Sequence, residues 1–117
     1  MPRFVVLEHD TAGGRHWDFM LEMGDVLATW ALGAPPDAAP EIAARALPDH
    51  RKAYLDYEGP VSGDHGSVTQ WDGGTYQLEH RSETQLEAML SGTRLHGRAT
   101  LVRSPDAPNP WRFSFSP

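Results

Sequence analysis

Apolar and polar residues alternate with period two along much of the chain, as in strands that bury one face. In Trp111-Arg112-Phe113-Ser114-Phe115-Ser116 the aromatics fall on one side and the polar residues on the other. Over residues 16–23, Trp17, Phe19, Leu21 and Met23 share one face, while His16, Asp18, Met20 and Glu22 share the opposite one. The pattern predicts strands over 3–8, 16–23, 26–32, 66–71, 74–79, 94–103 and 111–116. Met23-Gly24-Asp25-Val26 and Trp71-Asp72-Gly73-Gly74-Thr75 read as hairpin turns. The adjacent prolines of Gly33-Ala34-Pro35-Pro36 mark a loop. Two stretches stay open. Pro40 to Leu47 is rich in helix formers and is compatible with one or two helical turns, and Glu83 to Leu90 fits either period. The expected fold is mainly β: a small closed or nearly closed β-barrel with one or two short helices, which leaves few exposed edges. A sandwich is the alternative.

Composition narrows the class. At 117 residues and 13.0 kDa the chain is expected to form a single domain over 1–117. The absence of Cys excludes a disulfide framework and a thiolate zinc site. No apolar run approaches the roughly 18 residues of a membrane helix, and the N-terminal apolar run is too short for a signal peptide. A soluble cytoplasmic protein with no membrane partner is therefore expected. The formal charge of −6 argues against a simple electrostatic nucleic-acid binder. That charge is uneven: residues 1–80 hold 5 basic and 13 acidic side chains, whereas residues 81–117 hold 5 Arg and 3 acidic residues. Arg94, Arg98, Arg103 and Arg112 supply most of the basic end, either as a solvated strand face or, if they converge, as phosphate contacts.

Histidines carry the candidate chemistry. His9, His16, His50 and His65 each lie next to Asp or one position removed from it, whereas His80 and His96 read as surface residues. The polar face of 16–23 is either solvated or functional. Without Cys, any metal site must use imidazole and carboxylate, a set suited to Mn, Fe or Zn, and two His with one carboxylate leave positions open for water and substrate. The chain contains no Gly-x-Ser-x-Gly elbow, phosphate loop or dinucleotide fingerprint. What remains is metal-assisted chemistry or binding.

Phe4-Val5-Val6-Leu7-Glu8-His9-Asp10, followed by Arg15-His16-Trp17-Asp18-Phe19-Met20-Leu21-Glu22, resembles the opening of the 3′-phosphoesterase domain of bacterial DNA ligase D. The likeness continues through Trp30-Ala31, Asp49-His50, Tyr54, Tyr57-Glu58-Gly59, Gly66-Ser67-Val68, Trp71 to Tyr76 and Leu90 to Arg98, in the family's order. The resemblance implies a small β-barrel that heals DNA 3′ ends, removing a 3′-phosphate or a terminal ribonucleoside with a divalent metal, Mn²⁺ foremost and Zn²⁺ as an alternative. Carried over by motif, the metal ligands are His9, Asp18 and His50. His16 contacts the scissile phosphate and assists proton transfer, and Tyr54 lines the phosphate site. Glu8 and Glu22 are candidates for orienting the ligands or are solvated strand-end carboxylates. The implied substrates are DNA or RNA-terminated DNA 3′ ends, with separate ligase or polymerase repair proteins as partners.

One position departs from the family pattern. Where the family has Asp-Phe-Arg-Leu-Glu, this chain has Asp18-Phe19-Met20-Leu21-Glu22, and Met cannot replace the planar, multidentate donors that clamp an oxyanion. Arg15, Arg51 and His65, the last in the turn Gly63-Asp64-His65-Gly66, are the candidate phosphate-binding substitutes. The competing expectations are a non-catalytic metal- or DNA-end-binding barrel that lost turnover with the Arg, and a barrel that binds some other small ligand.

Overall fold

The computed structural model describes residues 1–63, 65–107 and 109–117. The described residues form nine strands: β1 (Arg3–Thr11), β2 (Gly14–Met23), β3 (Val26–Leu32), β4 (Ile42–Arg51), β5 (Gly59–Pro60), β6 (Ser67–Arg81), β7 (Gln85–Gly92), β8 (His96–Arg103) and β9 (Pro110–Ser116). They pair antiparallel in the order β1-β2-β3-β4-β9-β8-β7-β6, and β1 also pairs with β6, closing a ring. β5 lies outside that ring on β6, through Gly59↔Val68 and Pro60↔Ser67. Closure removes the free edges that an open sheet of this size would expose. The barrel expectation therefore holds and the sandwich does not. No helix among the described residues is long and apolar enough to cross a membrane.

Two apolar clusters follow from the alternation. Inward positions, among them Phe4, Val6, Phe19, Leu21, Trp30, Leu90, Leu101 and Phe113, fill the barrel. Outward positions Val5, Leu7, Met20, Leu27 and Val68 form a second cluster, capped by Leu55 and flanked by Tyr54 and Val61. The cap is a single-turn 3₁₀ helix, Lys52–Leu55, with the chain that follows it. Lys52 pairs with Glu22 at 2.8 Å, Arg3 pairs with Asp56 at 2.7 Å, and Glu22 also accepts the Arg3 backbone N–H at 2.8 Å. A flap is thus fastened over one outer wall of the barrel. The outer face of β2 is accordingly covered rather than solvated: Asp18 is 2% exposed and Met20 1%.

The two open stretches resolve as strand, and one local expectation is corrected. Residues 40–47 form no helix: Ile42 and Ala44 are buried while Ala43 and Arg45 are exposed, so cross-strand pairing overrides the helix propensity of the alanines. In 83–90, Leu86, Ala88 and Leu90 alternate inward, and the segment is β7. Trp71 to Thr75 is not a hairpin turn but the middle of the 15-residue β6, with a bulge where Val6 faces Asp72 and Leu7 faces Gln70. Gly74 serves close strand approach there, since a Cβ would lie 2.1 Å from the Ser91 carbonyl oxygen. The buried Asp72 carboxylate accepts the N–H groups of Thr93 (2.9 Å), Arg94 (3.2 Å) and Leu95 (2.8 Å). Those donors are therefore lost to strand pairing, which is why β8 begins at His96 rather than at 94. The Gly24 turn is as expected, with φ +63° between β2 and β3.

Candidate metal centre and its surroundings

The β1–β2 hairpin assembles the centre. His9 pairs with His16 and Leu7 with Asp18 across the two strands, so His9, His16 and Asp18 share the outer face. His9 Nδ1 lies 3.1 Å from His16 Nε2 and 3.2 Å from Asp18 Oδ2, and His16 Nε2 lies 3.0 Å from Asp18 Oδ1. Although close, Asp18 Oδ1 has no partner with hydrogen-bond geometry, and it is fully buried. His9 Nε2 donates to the His65 carbonyl oxygen at 2.5 Å, which leaves Nδ1 of the neutral ring with its lone pair toward the carboxylate. In that tautomer the His9 Nδ1 lone pair and Asp18 Oδ2 are two acceptors facing each other at 3.2 Å. Such an arrangement is costly unless a proton or a cation lies between them. A divalent ion fits this donor set, and one ligand atom from each of the three residues lies within 4.8 Å of the others.

His50 approaches from the other side. The β3–β4 ladder slips between Leu27↔His50 and Thr29↔Leu47, and this bulge at Pro48-Asp49 re-aims the strand end. His50 Nδ1 donates to the Pro48 carbonyl oxygen at 2.8 Å, which fixes the tautomer and leaves Nε2 as the lone-pair nitrogen. His9, Asp18, His50, Met20 and Tyr54 all line one cavity of about 30 Å³, the volume of a single water or ion. His16 instead lines a neighbouring cavity. Tyr54 packs edge-on against His50, with ring centres 5.7 Å apart, and against Tyr57 at 5.6 Å. It also lines a cavity of about 190 Å³ with Arg51, Ala53, Tyr57, Pro60 and Ser62.

The remaining candidates separate. Arg15 is committed to Asp10 at 2.6 Å at the tip of the hairpin, a pairing that raises the guanidinium pKa further. The backbone carbonyl of His65, not its exposed ring, meets the centre, and its neighbour Asp64 lies outside the described residues. Glu8 alternates to the face opposite His9, away from the cluster. Glu22 fastens the flap instead of orienting a ligand, and the hydrogen bond from Lys52 holds its carboxyl below the usual range. The basic C-terminal arginines do not converge: Arg98 pairs with Glu79 at 2.8 Å, Arg112 with Glu41, Arg94 lies over Trp71, and Arg103 binds the Glu83 carbonyl oxygen. β8 is also diametrically opposite β2 in the ring.

Fold and centre together define a small antiparallel β-barrel with a flap-covered His/carboxylate cluster on its outer wall. The family model described as the DNA Ligase D 3′-phosphoesterase domain matches residues 7–103. The chain belongs to this family. It is 36% identical over 112 residues to the multifunctional non-homologous end joining proteins LigD of Mycobacterium bovis and Mycobacterium tuberculosis, covering 86% of this chain and 14% of each relative. It is 34% identical over 112 residues to that of Pseudomonas aeruginosa, covering 87% of this chain and 13% of the relative. The chain thus spans about one seventh of the length of these relatives.

Proposed function

We propose that the protein is a divalent-metal-dependent phosphoesterase that removes a 3′-phosphate or a 3′-terminal ribonucleoside from DNA ends during repair. The observation that carries this reading is the convergence of His9 Nδ1 and an Asp18 carboxylate oxygen on an ion-sized cavity, in a chain of this family. His9, Asp18 and His50 would hold the ion, Mn²⁺ foremost, because these three line that cavity. When bound, such an ion polarises phosphoryl oxygens and acidifies an attacking water. His16, at the edge of the cluster and in the wall of the adjoining cavity, is placed to hydrogen-bond a phosphoryl oxygen and to pass a proton to the departing oxygen. Of the substitutes for the family Arg, Arg51 is the best placed, since its cavity adjoins the ion-sized one through Tyr54. The acidity of the chain is compatible with this task, because one terminal phosphate needs a local cation and a few donors rather than a broad basic surface. Separate ligase or polymerase repair proteins are the partners this role calls for.

Primers ending in a 3′-phosphate or a ribonucleotide test the reading. With Mn²⁺, the wild type is expected to convert them to 3′-hydroxyl ends, and Asp18→Ala to lose turnover; full activity in Asp18→Ala overturns the proposal. His50→Ala is expected to lose Mn²⁺-induced thermal stabilisation, whereas His16→Ala keeps the stabilisation and loses turnover. A second reading, end binding without hydrolysis, is favoured by one feature: Met20 presents an apolar side chain to the cavity. Mn²⁺-dependent end binding with no product formation would support it.

A further inference from the structure

The ladder registers place a cation beside the centre in a row that neither the motifs nor the metal chemistry uses. Asp18 pairs with Ala31, and Ala31 pairs with Arg45, so these three residues stand side by side across β2, β3 and β4 on the outer face. Arg45 is therefore two strand spacings, about 10 Å, from the buried carboxylate, within reach of a group lying over the strand between them. A cavity of about 250 Å³ occupies that interval. His16 and Arg45 line it together with Leu32 and four small residues, Ala31, Gly33, Ala43 and Ala44. A second cavity of about 330 Å³, against Pro110 and Arg112, shares Ala43 with it. Among the described residues Arg45, like Arg51, Arg81 and Arg94, has no ion pair and no side-chain hydrogen bond, whereas Arg3, Arg15, Arg98 and Arg112 are each paired with a carboxylate.

We propose that this trough holds the nucleic-acid strand leading to the 3′ end, with Arg45 contacting a backbone phosphate next to the one processed at His16. The proposal rests on the phosphoesterase reading and gives it a direction. A polymer bound at the centre must leave it along some path. On the Tyr54 side the adjoining cavity is walled by the flap residues Tyr57, Pro60 and Ser62, whereas on the His16 side two cavities that share Ala43 lie over the small residues of β3 and β4 and reach Pro110 and Arg112 of β9. Small side chains let a sugar-phosphate backbone lie close to the sheet, and a single unpaired guanidinium supplies the charge without a broad basic surface.

Fluorescence anisotropy of a labelled single-stranded oligonucleotide with a 3′-phosphate, titrated with Mn²⁺-loaded protein across a range of salt, tests the trough without relying on turnover. Each backbone phosphate contact contributes about 0.7 to the slope of log K against log salt for single strands. Arg45→Ala is expected to lower the slope by about that amount and to weaken binding most at low salt, with Arg45→Lys restoring much of the slope. Hydrolysis of a small aryl phosphate monoester, too short to reach Arg45, is expected to be unchanged in Arg45→Ala. An unchanged salt slope in Arg45→Ala, or an equal loss on the aryl phosphate, overturns the trough while leaving the phosphoesterase reading intact. A lowered slope in a protein that never releases phosphate supports the trough and instead defeats the reading on turnover.

Discussion

Asp18 and Asp72 are both buried carboxylates, 2% and 3% exposed, and their surroundings are opposites. Asp72 accepts three backbone N–H groups from the turn between β7 and β8, so its burial is offset by fixed donors. Asp18 faces two imidazoles and has one oxygen without a well-aligned donor. One carboxylate completes a corner of the barrel. The other leaves unused acceptor capacity directed into an ion-sized space, the condition expected of a group kept for a ligand rather than for the fold.

The comparison breaks most visibly under paired substitution. Asp18→Asn is expected to cut turnover by more than about 100-fold, beyond the 10–100-fold ascribed to partners outside the ligand set. It should also abolish a metal-induced stabilisation worth about 2.7 kcal/mol at 100 times Kd. Asp72→Asn is expected to do the reverse. Loss of charge-assisted bonds to the turn costs on the order of 2–3 kcal/mol and lowers Tm by roughly 10 °C, with the increment from Mn²⁺ retained. Calorimetry of both variants with and without Mn²⁺ reads all four values. If Asp72→Asn loses the metal increment, or Asp18→Asn loses metal-free stability to the same extent, the two carboxylates are not different in kind.

Met20 lies between these regimes, lining the metal cavity yet packed with Val5, Leu7, Leu27, Leu55 and Val68. A guanidinium there must either displace the flap or take its charge into an apolar cluster with Asp18 as the one carboxylate lining the cavity, so Met20→Arg is expected to cost about 2–4 kcal/mol in metal-free protein. Met20→Leu, which nearly conserves volume, is expected to cost less than about 1.5 kcal/mol. Chemical denaturation measures both. A Met20→Arg protein as stable as wild type would show that the flap yields readily and that the cluster is not what holds Met20 in place.

The strands around this centre were legible because Phe, Trp, Leu and Val alternate strictly with polar residues over 3–8, 16–23 and 111–116. That same alternation puts His16 and Asp18 on one face. Two things were not legible. In β4, Ala43, Ala44 and Ala46 give no contrast between faces, so Arg45 and its place in the row with Asp18 were hidden behind helix propensity. The flap was hidden too, because Met20 on a face with His, Asp and Glu looks like a solvated pattern until Leu55 and Val68 are known to pack against it. At Asp72-Gly73-Gly74 a turn-like composition was serving close strand contact instead, a distinction that depends on Ser91, far away in sequence.

The flap offers the gentlest test of the difference between the two regions. The β7–β8 corner is held by three backbone amides on one buried carboxylate, Asp72, whereas the flap over Asp18 is held by side-chain ion pairs. The hydrogen bond from Lys52, reinforced by the Arg3 backbone N–H, lowers the Glu22 pKa, and the hydrogen bond from Arg3 lowers that of Asp56. A carboxyl whose folded pKa is depressed stabilises the folded state fully above its unfolded value, near 4 for these groups, and loses that contribution as pH falls through the lower folded value. The Arg3–Asp56 pair is exposed and the Lys52–Glu22 pair partly so, and each contribution is small and screened by salt. Acidification from about pH 6 to pH 3 is therefore expected to raise amide exchange at residues 52–56 before it rises in β7 and β8, and Glu22→Gln is expected to flatten much of that early response. Simultaneous loosening of flap and corner would mean that the Glu22 and Asp56 pairs do not govern the flap, leaving Leu55 packing as its fastening.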